Sequence, residues 1–146
     1  MNTKLINLLN KNLADLQILY VKLHNYHWNV KGSMFKPVHE QTEAYYDYIA
    51  EQFDKVAERI IQIGGKPSAT LQEYLKKSTL KEESENSFDG KYVLSSVLSD
   101  FEFLNIQYKE ISSLAGEGND IPTSNIADDN IAWLEKEIWM IRACIG

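Results

Sequence analysis

The chain has 146 residues, 44% apolar and 25% charged, which is the balance of one ordinary globular domain and excludes a disordered or fibrous protein. Fifteen basic against 21 acidic residues give a net charge of −6, which argues against a broad phosphate-binding surface. Seven glycines and three prolines are too few for a turn-rich all-β fold. The single Cys144 cannot close an internal disulfide and suits a reducing cytoplasm. The opening residues lack the apolar run of a secretory signal, and no stretch is apolar enough for a membrane helix.

Residues 3–31 predict the first helix. Leu5, Leu9, Leu13, Leu16, Tyr20, Leu23 and Val30 recur at three- and four-residue spacing, with His27 on the same stripe and Gly32 as the stop. A second helix is expected from Pro37 to Ile63, ending at Gly64-Gly65-Lys66-Pro67, with Thr42, Tyr45, Ile49, Phe53, Val56, Ile60 and Ile63 inward. Thr70-Leu71-Gln72-Glu73 is a capping box that predicts a short helix over 70–77, and 81–87 reads as loop. A third helix is expected from Asp89 or Gly90 to Leu114. A fourth starts near Thr123 or Ser124 and continues almost to the last residue. No strand is expected. The pattern predicts a single all-α domain over 1–146. It is a four-helix bundle whose long second connection lets the second and third helices run parallel.

The histidines are His24, His27 and His39, and none stands in a Glu-x-x-His or His-Glu-x-x-His pair. The intrachain di-iron signature and the zinc-protease motif are therefore both missing. The second helix instead carries His39, Glu43, Asp47, Glu51, Asp54 and Glu58 within an arc of roughly 120°. An acidic helix flank is commonly just a solvated face. Asp54 and Glu58, however, are i, i+4 neighbours whose carboxylates can converge on one cation. His39 and Asp54 lie about 22 Å apart along a rigid helix, so one chain cannot bring them to one ion. A two-fold axis across this helix would bring His39 of one copy to Asp54 and Glu58 of another, with His27 folded back by the turn at 32–36. Such a mixed nitrogen and carboxylate set suits Fe(II), Mn(II) or Zn(II) better than Ca(II).

The segment from Lys22 to Gly32 (KLHNYHWNVKG), then Val38-His39-Glu40, then Asp54-Lys55-Val56-Ala57-Glu58-Arg59, resembles the Dps family of mini-ferritins. The likeness extends to 64–67, 70–75 and Trp139-Met140, and so covers essentially the whole chain. The resemblance implies a ferritin-like four-helix subunit, with a short helix in the crossover, built into a hollow dodecameric shell. It implies an iron-oxidising site at each two-fold interface. His27 and His39 match the family's histidine ligands, Asp54 and Glu58 match carboxylates donated by a neighbour, and Glu43 matches the acidic position on the histidine side. The implied activity is a cytoplasmic ferroxidase that oxidises Fe(II), preferentially with hydrogen peroxide, and stores Fe(III) as mineral under oxidative stress. Zn(II) or another divalent metal is a further expected occupant. Asp120, Asp128 and Asp129 are pore candidates by analogy, set against plain charge compensation at a helix start. Trp28, beside His27, is either an electron donor or, as favoured here, a core or interface aromatic. Trp133 and Trp139 are read as packing residues and Cys144 as a small buried one. The alternative function is a DNA-compacting shell. DNA-binding members often carry a lysine-rich tail, whereas the first twelve residues here hold only Lys4 and Lys11, so tight DNA binding is not expected.

Overall fold

A computed structural model describes residues 2–146. Helix α1 spans Thr3–Asn29 and is capped by Asn2, whose side chain accepts from the Leu5 amide. A two-residue strand β1, Val30–Lys31, leads through Gly32, at φ 101°, into helix α2, Phe35–Gln62. Helix α3, Leu71–Lys77, closes on the expected box, with Thr70 accepting from the Glu73 amide and donating to its carboxylate. Strand β2, Phe88–Asp89, precedes helix α4, Gly90–Glu117, and helix α5 spans Ile121–Ile145. The class is all-α, as expected, with corrections at the element ends.

The strands are the first correction. β1 and β2 pair in parallel, Val30 with Phe88 and Lys31 with Asp89. A pairing 58 residues apart leaves no local periodicity, so nothing in either dipeptide announces it. The bridge also fixes topology. It sets the beginning of α4 beside the end of α1, which is where α2 begins, so α2 and α4 run in the same direction. This is the crossover that the connection length allowed. The bridge also takes Val30 and Lys31 out of the first helix.

The start of α5 is the second correction. Asp120, not Thr123 or Ser124, is the cap. Its carboxylate accepts from the Thr123 amide at 3.1 Å and from the Thr123 hydroxyl at 2.6 Å. Thr123 and Ser124 lie inside the helix and are buried. α4 runs three residues beyond Leu114, and Asn119, at φ 56°, supplies the left-handed turn that a glycine often fills. α2 starts at Phe35, two residues before Pro37.

The expected stripes meet in one core. Leu5, Leu9, Leu13, Leu16 and Leu23 of α1 are buried, as are Val93, Val97, Phe101, Leu104, Tyr108 and Ile111 of α4. Several polar groups inside the bundle are paired, although the Tyr108 hydroxyl and Asn12 Oδ1 are buried without a partner. Lys22 and Asp100 form an ion pair at 2.6 Å. Asp15 accepts from the amides of Thr79 and Leu80 and from the Gln107 side chain, which ties the crossover to the bundle. Farther along the crossover, Glu83 accepts from the hydroxyls of Tyr26 on α1 and Tyr92 on α4. The second half of the crossover is thus fastened by carboxylates, and its first part by Asn10, which bonds the Lys66 carbonyl and the Ser68 amide.

Candidate metal centre

The end of α1 and the beginning of α2 pack so that His27 and His39 stack, with ring centroids 3.7 Å apart and planes 13° from parallel. The two residues clamp one another. His27 Nδ1 donates to the His39 carbonyl at 2.6 Å, and His39 Nδ1 donates to the His27 carbonyl at 2.7 Å. A carbonyl oxygen can only accept, so both Nδ1 atoms carry the proton. Each Nε2 is left with a free lone pair, the arrangement a metal-binding imidazole needs. The sequence turns tightly here because Gly32 takes a positive φ and the Phe35 amide donates back to the Gly32 carbonyl. Thr42 lies buried below the pair, donating to the Val38 carbonyl at 2.8 Å, and Phe35 stacks on the outer face of His39 at 5.0 Å. Helical phase put Thr42 on the buried side of α2, but the support that it and Phe35 give the histidines follows from the turn.

His27 is only 6% exposed. Its Nε2 stands 3.8 Å from a Glu43 carboxylate oxygen, while Glu43 itself faces solvent. That gap is too long for a hydrogen bond. It is close to what one cation at about 2.1 Å from each atom would occupy. His27 Nε2 and a Glu43 carboxylate oxygen therefore face one another, with the His39 ring stacked beside them.

Asp54 and Glu58 sit farther along α2, one turn apart and exposed, on the flank where the helical arithmetic put them. Among the described residues, no three of His, Cys, Asp and Glu gather closely enough to hold a metal ion within one chain. His27, His39 and Glu43 are brought together, and Asp54 and Glu58 are not brought to them.

The remaining candidates divide. Asp120 is engaged by Arg59 at 2.7 Å as well as by Thr123. Burial raises its carboxyl, but the Thr123 hydroxyl, the Arg59 guanidinium and the Thr123 amide outweigh that and hold it below the ordinary carboxylate range. A lowered value in the folded state means the stabilisation is complete above the ordinary value of about 3.9 and is lost as pH falls through the folded value. Asp120→Ala is expected to cost about 1–2 kcal/mol at neutral pH. The gap to the parent protein should narrow below about pH 4. Chemical denaturation across that range checks it, and a cost that does not change with pH would refute the assignment. Asp128 accepts from the Ser112 hydroxyl at 2.6 Å, and Asp129 faces solvent.

Two further expectations, for Trp139 and Cys144, are corrected, and that for Trp28 is narrowed to an interface aromatic or an electron donor. Trp28 is 68% exposed, so within one subunit it is no core residue. Trp139 is 65% exposed because it lies off the buried Ile138–Ile141 stripe of α5, and Cys144 is exposed in the helix's last turn, beyond the core. Trp133 does pack, stacked on Tyr48 at 3.7 Å. His24 is structural, with Nδ1 donating to the Tyr20 carbonyl.

Comparison with known proteins agrees with this architecture. Residues 6–146 match the ferritin-like domain family. The chain is 44% identical over 130 residues to the DNA protection during starvation protein of Helicobacter pylori, covering 89% of this chain and 90% of that protein. The crystal structure of a Dps protein from Bacillus brevis covers the whole of both chains at 37% identity and a TM-score of 0.94. A Dps protein from Vibrio cholerae, described as belonging to a superfamily of ferritin-like diiron-carboxylate proteins, matches with a TM-score of 0.95. It is 35% identical and covers 98% of this chain and 89% of that one. Fold and likeness together define a ferritin-like subunit. More narrowly, the chain belongs to the Dps family of mini-ferritins.

Proposed function

We propose that this protein is a ferroxidase that oxidises Fe(II), preferentially with hydrogen peroxide, and stores the Fe(III) as mineral inside a homo-oligomeric shell, expected to be a dodecamer. Fe(II) is the substrate. The observation that carries the reading is the histidine clamp, which locks both imidazoles and sets His27 Nε2 beside Glu43, while the described residues of one chain form no complete metal site. Asp54 and Glu58 of a second copy, related by a two-fold axis across α2, complete the set. Glu58 anchors the iron, Asp54 and His27 fill out its coordination, and His39 with Glu43 hold a second, weaker iron or a bridging water. Mixed nitrogen and oxygen ligation favours iron and zinc over calcium. The diiron-carboxylate description of the Vibrio cholerae relative supports iron as cargo.

Peroxide accepts two electrons, and each Fe(II) supplies one. Drawing both from bound iron avoids release of hydroxyl radical, which gives protection under oxidative stress. The test is Fe(II) oxidation followed by near-ultraviolet absorbance after peroxide addition, together with native mass. Rapid oxidation in a species of about twelve subunits is expected by the closed symmetry of such shells. A monomer, or a shell that leaves Fe(II) unoxidised, would refute the proposal.

The names of several relatives attach DNA protection to those proteins. On this chain the protection is chemical rather than by wrapping DNA. With −6 per subunit, a shell repels the phosphate backbone. Iron-free protein is expected to leave supercoiled plasmid unretarded in a gel at about 0.1 M salt, where the Debye length is about 10 Å. Retardation under those conditions would favour the DNA-compacting reading.

A further inference from the structure

The turn that joins the two clamped histidines is gripped by the beginning of α4. Residues 30–35 carry the chain from the end of α1 into α2. The first two of them, Val30 and Lys31, pair with Phe88 and Asp89. Farther along the turn, Met34 lies against Gly90, the first residue of α4. A Cβ on residue 90 would stand 2.6 Å from Met34 Cβ and 3.0 Å from its Sδ. Ordinary contact begins near 3.4 Å, so any side chain at residue 90 forces the turn and α4 apart by about 0.8 Å. The sulfur can swing away on its flexible stem. Met34 Cβ cannot, because it is fixed to the backbone.

The place of the Met34 backbone bears on His39. Met34 is the N-cap of α2, and its carbonyl accepts from the Val38 amide at 3.1 Å. The next residue, Phe35, stacks on His39 with planes 22° apart, and His39 stacks on His27. The turn cannot swing out as a unit, since the bridge ties its first two residues to the pair that precedes Gly90. The displacement therefore goes into residues 32–35 and the first turn of α2, beside His39. The reciprocal bonds of the clamp, 2.6 and 2.7 Å, have little slack. A shift of 0.8 Å on one partner carries them beyond the about 3.2 Å that such bonds tolerate.

We infer that Gly90 is a positioning residue of the metal centre: lacking a side chain, it lets the start of α4 set the α1–α2 turn and, through Met34 and Phe35, the orientation of His39 against His27. The inference rests on the reading of both histidines as metal ligands. The helix itself does not ask for glycine here. Gly90 has no left-handed φ, and alanine is the better helix former. Helix propensity alone thus predicts Gly90→Ala to be harmless or stabilising, and the close approach predicts the opposite.

The test is anaerobic Co(II) binding to the assembled protein, followed by the visible absorption of the bound ion, beside native mass and melting temperature. Co(II) stands in for Fe(II) at nitrogen and oxygen ligands. Gly90→Ala is expected to lose about 10-fold or more in Co(II) affinity, the usual effect of displacing a group that orients a metal ligand. Met34→Gly removes the Cβ that residue 90 would strike, so Gly90→Ala/Met34→Gly should bind Co(II) as tightly as Met34→Gly alone. Val97→Ala, a core truncation elsewhere on α4, should lower the melting temperature and leave Co(II) affinity at the parental value. An equal loss of affinity in Val97→Ala would reduce the effect of residue 90 to general stability and refute its positioning role. His27→Gly separates the two readings. If it leaves Co(II) binding unchanged, the ligand reading falls and this inference with it. If it weakens binding while an assembled Gly90→Ala binds as the parent does, only the role of Gly90 falls. Should Gly90→Ala fail to assemble, the double variant decides: assembly with restored binding supports the route through Met34, and a second failure refutes it.

Discussion

Two inactive variants are expected to restore each other. His27→Gly removes the locked nitrogen ligand, and Glu58→Ala removes the carboxylate that anchors iron. Each protein alone should lose peroxide-driven Fe(II) oxidation by on the order of 100-fold or more, since even displaced supporting groups of metal sites cost about 10–100-fold. Glu58 is exposed, and His27, though buried, sits in the last turn of α1 at the edge of the apolar core, so each variant should still fold and assemble. Co-refolded in equal amounts, the two should recover about a quarter of the parental rate, because an isologous pair draws the histidine from one copy and the carboxylate from the other. One centre of each mixed pair then carries both lesions and the other carries none. A centre built inside a single chain predicts no recovery whatever the mixing ratio. Stopped-flow absorbance of Fe(III) in the mixed assembly decides between the two, and a rate equal to that of the separate variants would remove the shared site.

Breaking the pairing should abolish the activity without touching a ligand. Val21 is an exposed aliphatic on α1 that lines an open depression with Tyr20, His24, Asn25 and Trp28, beside the clamp. Exposed apolar surface of this kind next to an incomplete metal site is what a subunit contact would cover. Val21→Glu puts a charge there. In a free subunit the carboxylate stays in water and costs little, whereas in a contact it must be desolvated without a partner. The variant is expected to keep its helical circular dichroism, to fall in native mass, and to lose Fe(II) oxidation in the same step, about 100-fold relative to the parent. A monomeric V21E that oxidises iron at the parental rate would refute the shared site. An assembled, fully active V21E would remove this face of α1 from the contact.

The helices were legible because their apolar positions are strictly periodic. Leu5 to Leu23 and Val93 to Ile111 read as stripes and are buried as stripes. The acidic flank of α2 was legible for the same reason, and helix rise alone separates His39 from Asp54. What stayed hidden depends on partners distant in sequence. The Val30–Phe88 bridge has no local pattern. Asp120 outcompetes Thr123 and Ser124 as cap because Arg59, brought up by the end of α2, pairs with it. The reciprocal bonds between His27 and His39 require the turn at Gly32, so the sequence offers the ring types but not their tautomers. Trp28, Trp139 and Cys144 were placed by residue type, and type is a weaker guide than helical phase. Trp28 and Trp139 each fall about 100° off a buried stripe, whereas Cys144 lies in the last turn, beyond the core.

The mutual clamp of His27 and His39 bears on the order of events in biosynthesis. Both imidazoles are oriented by the backbone of their own chain, so a newly folded subunit already presents its nitrogen donors in final form. On the proposed shared site it would still lack the acidic half, so capture of the ion would wait until a second subunit docks. Nascent chains would then pass through the cell's pool of labile ferrous ions without sequestering them, and the oxidising chemistry would switch on only where an enclosure is already forming around it.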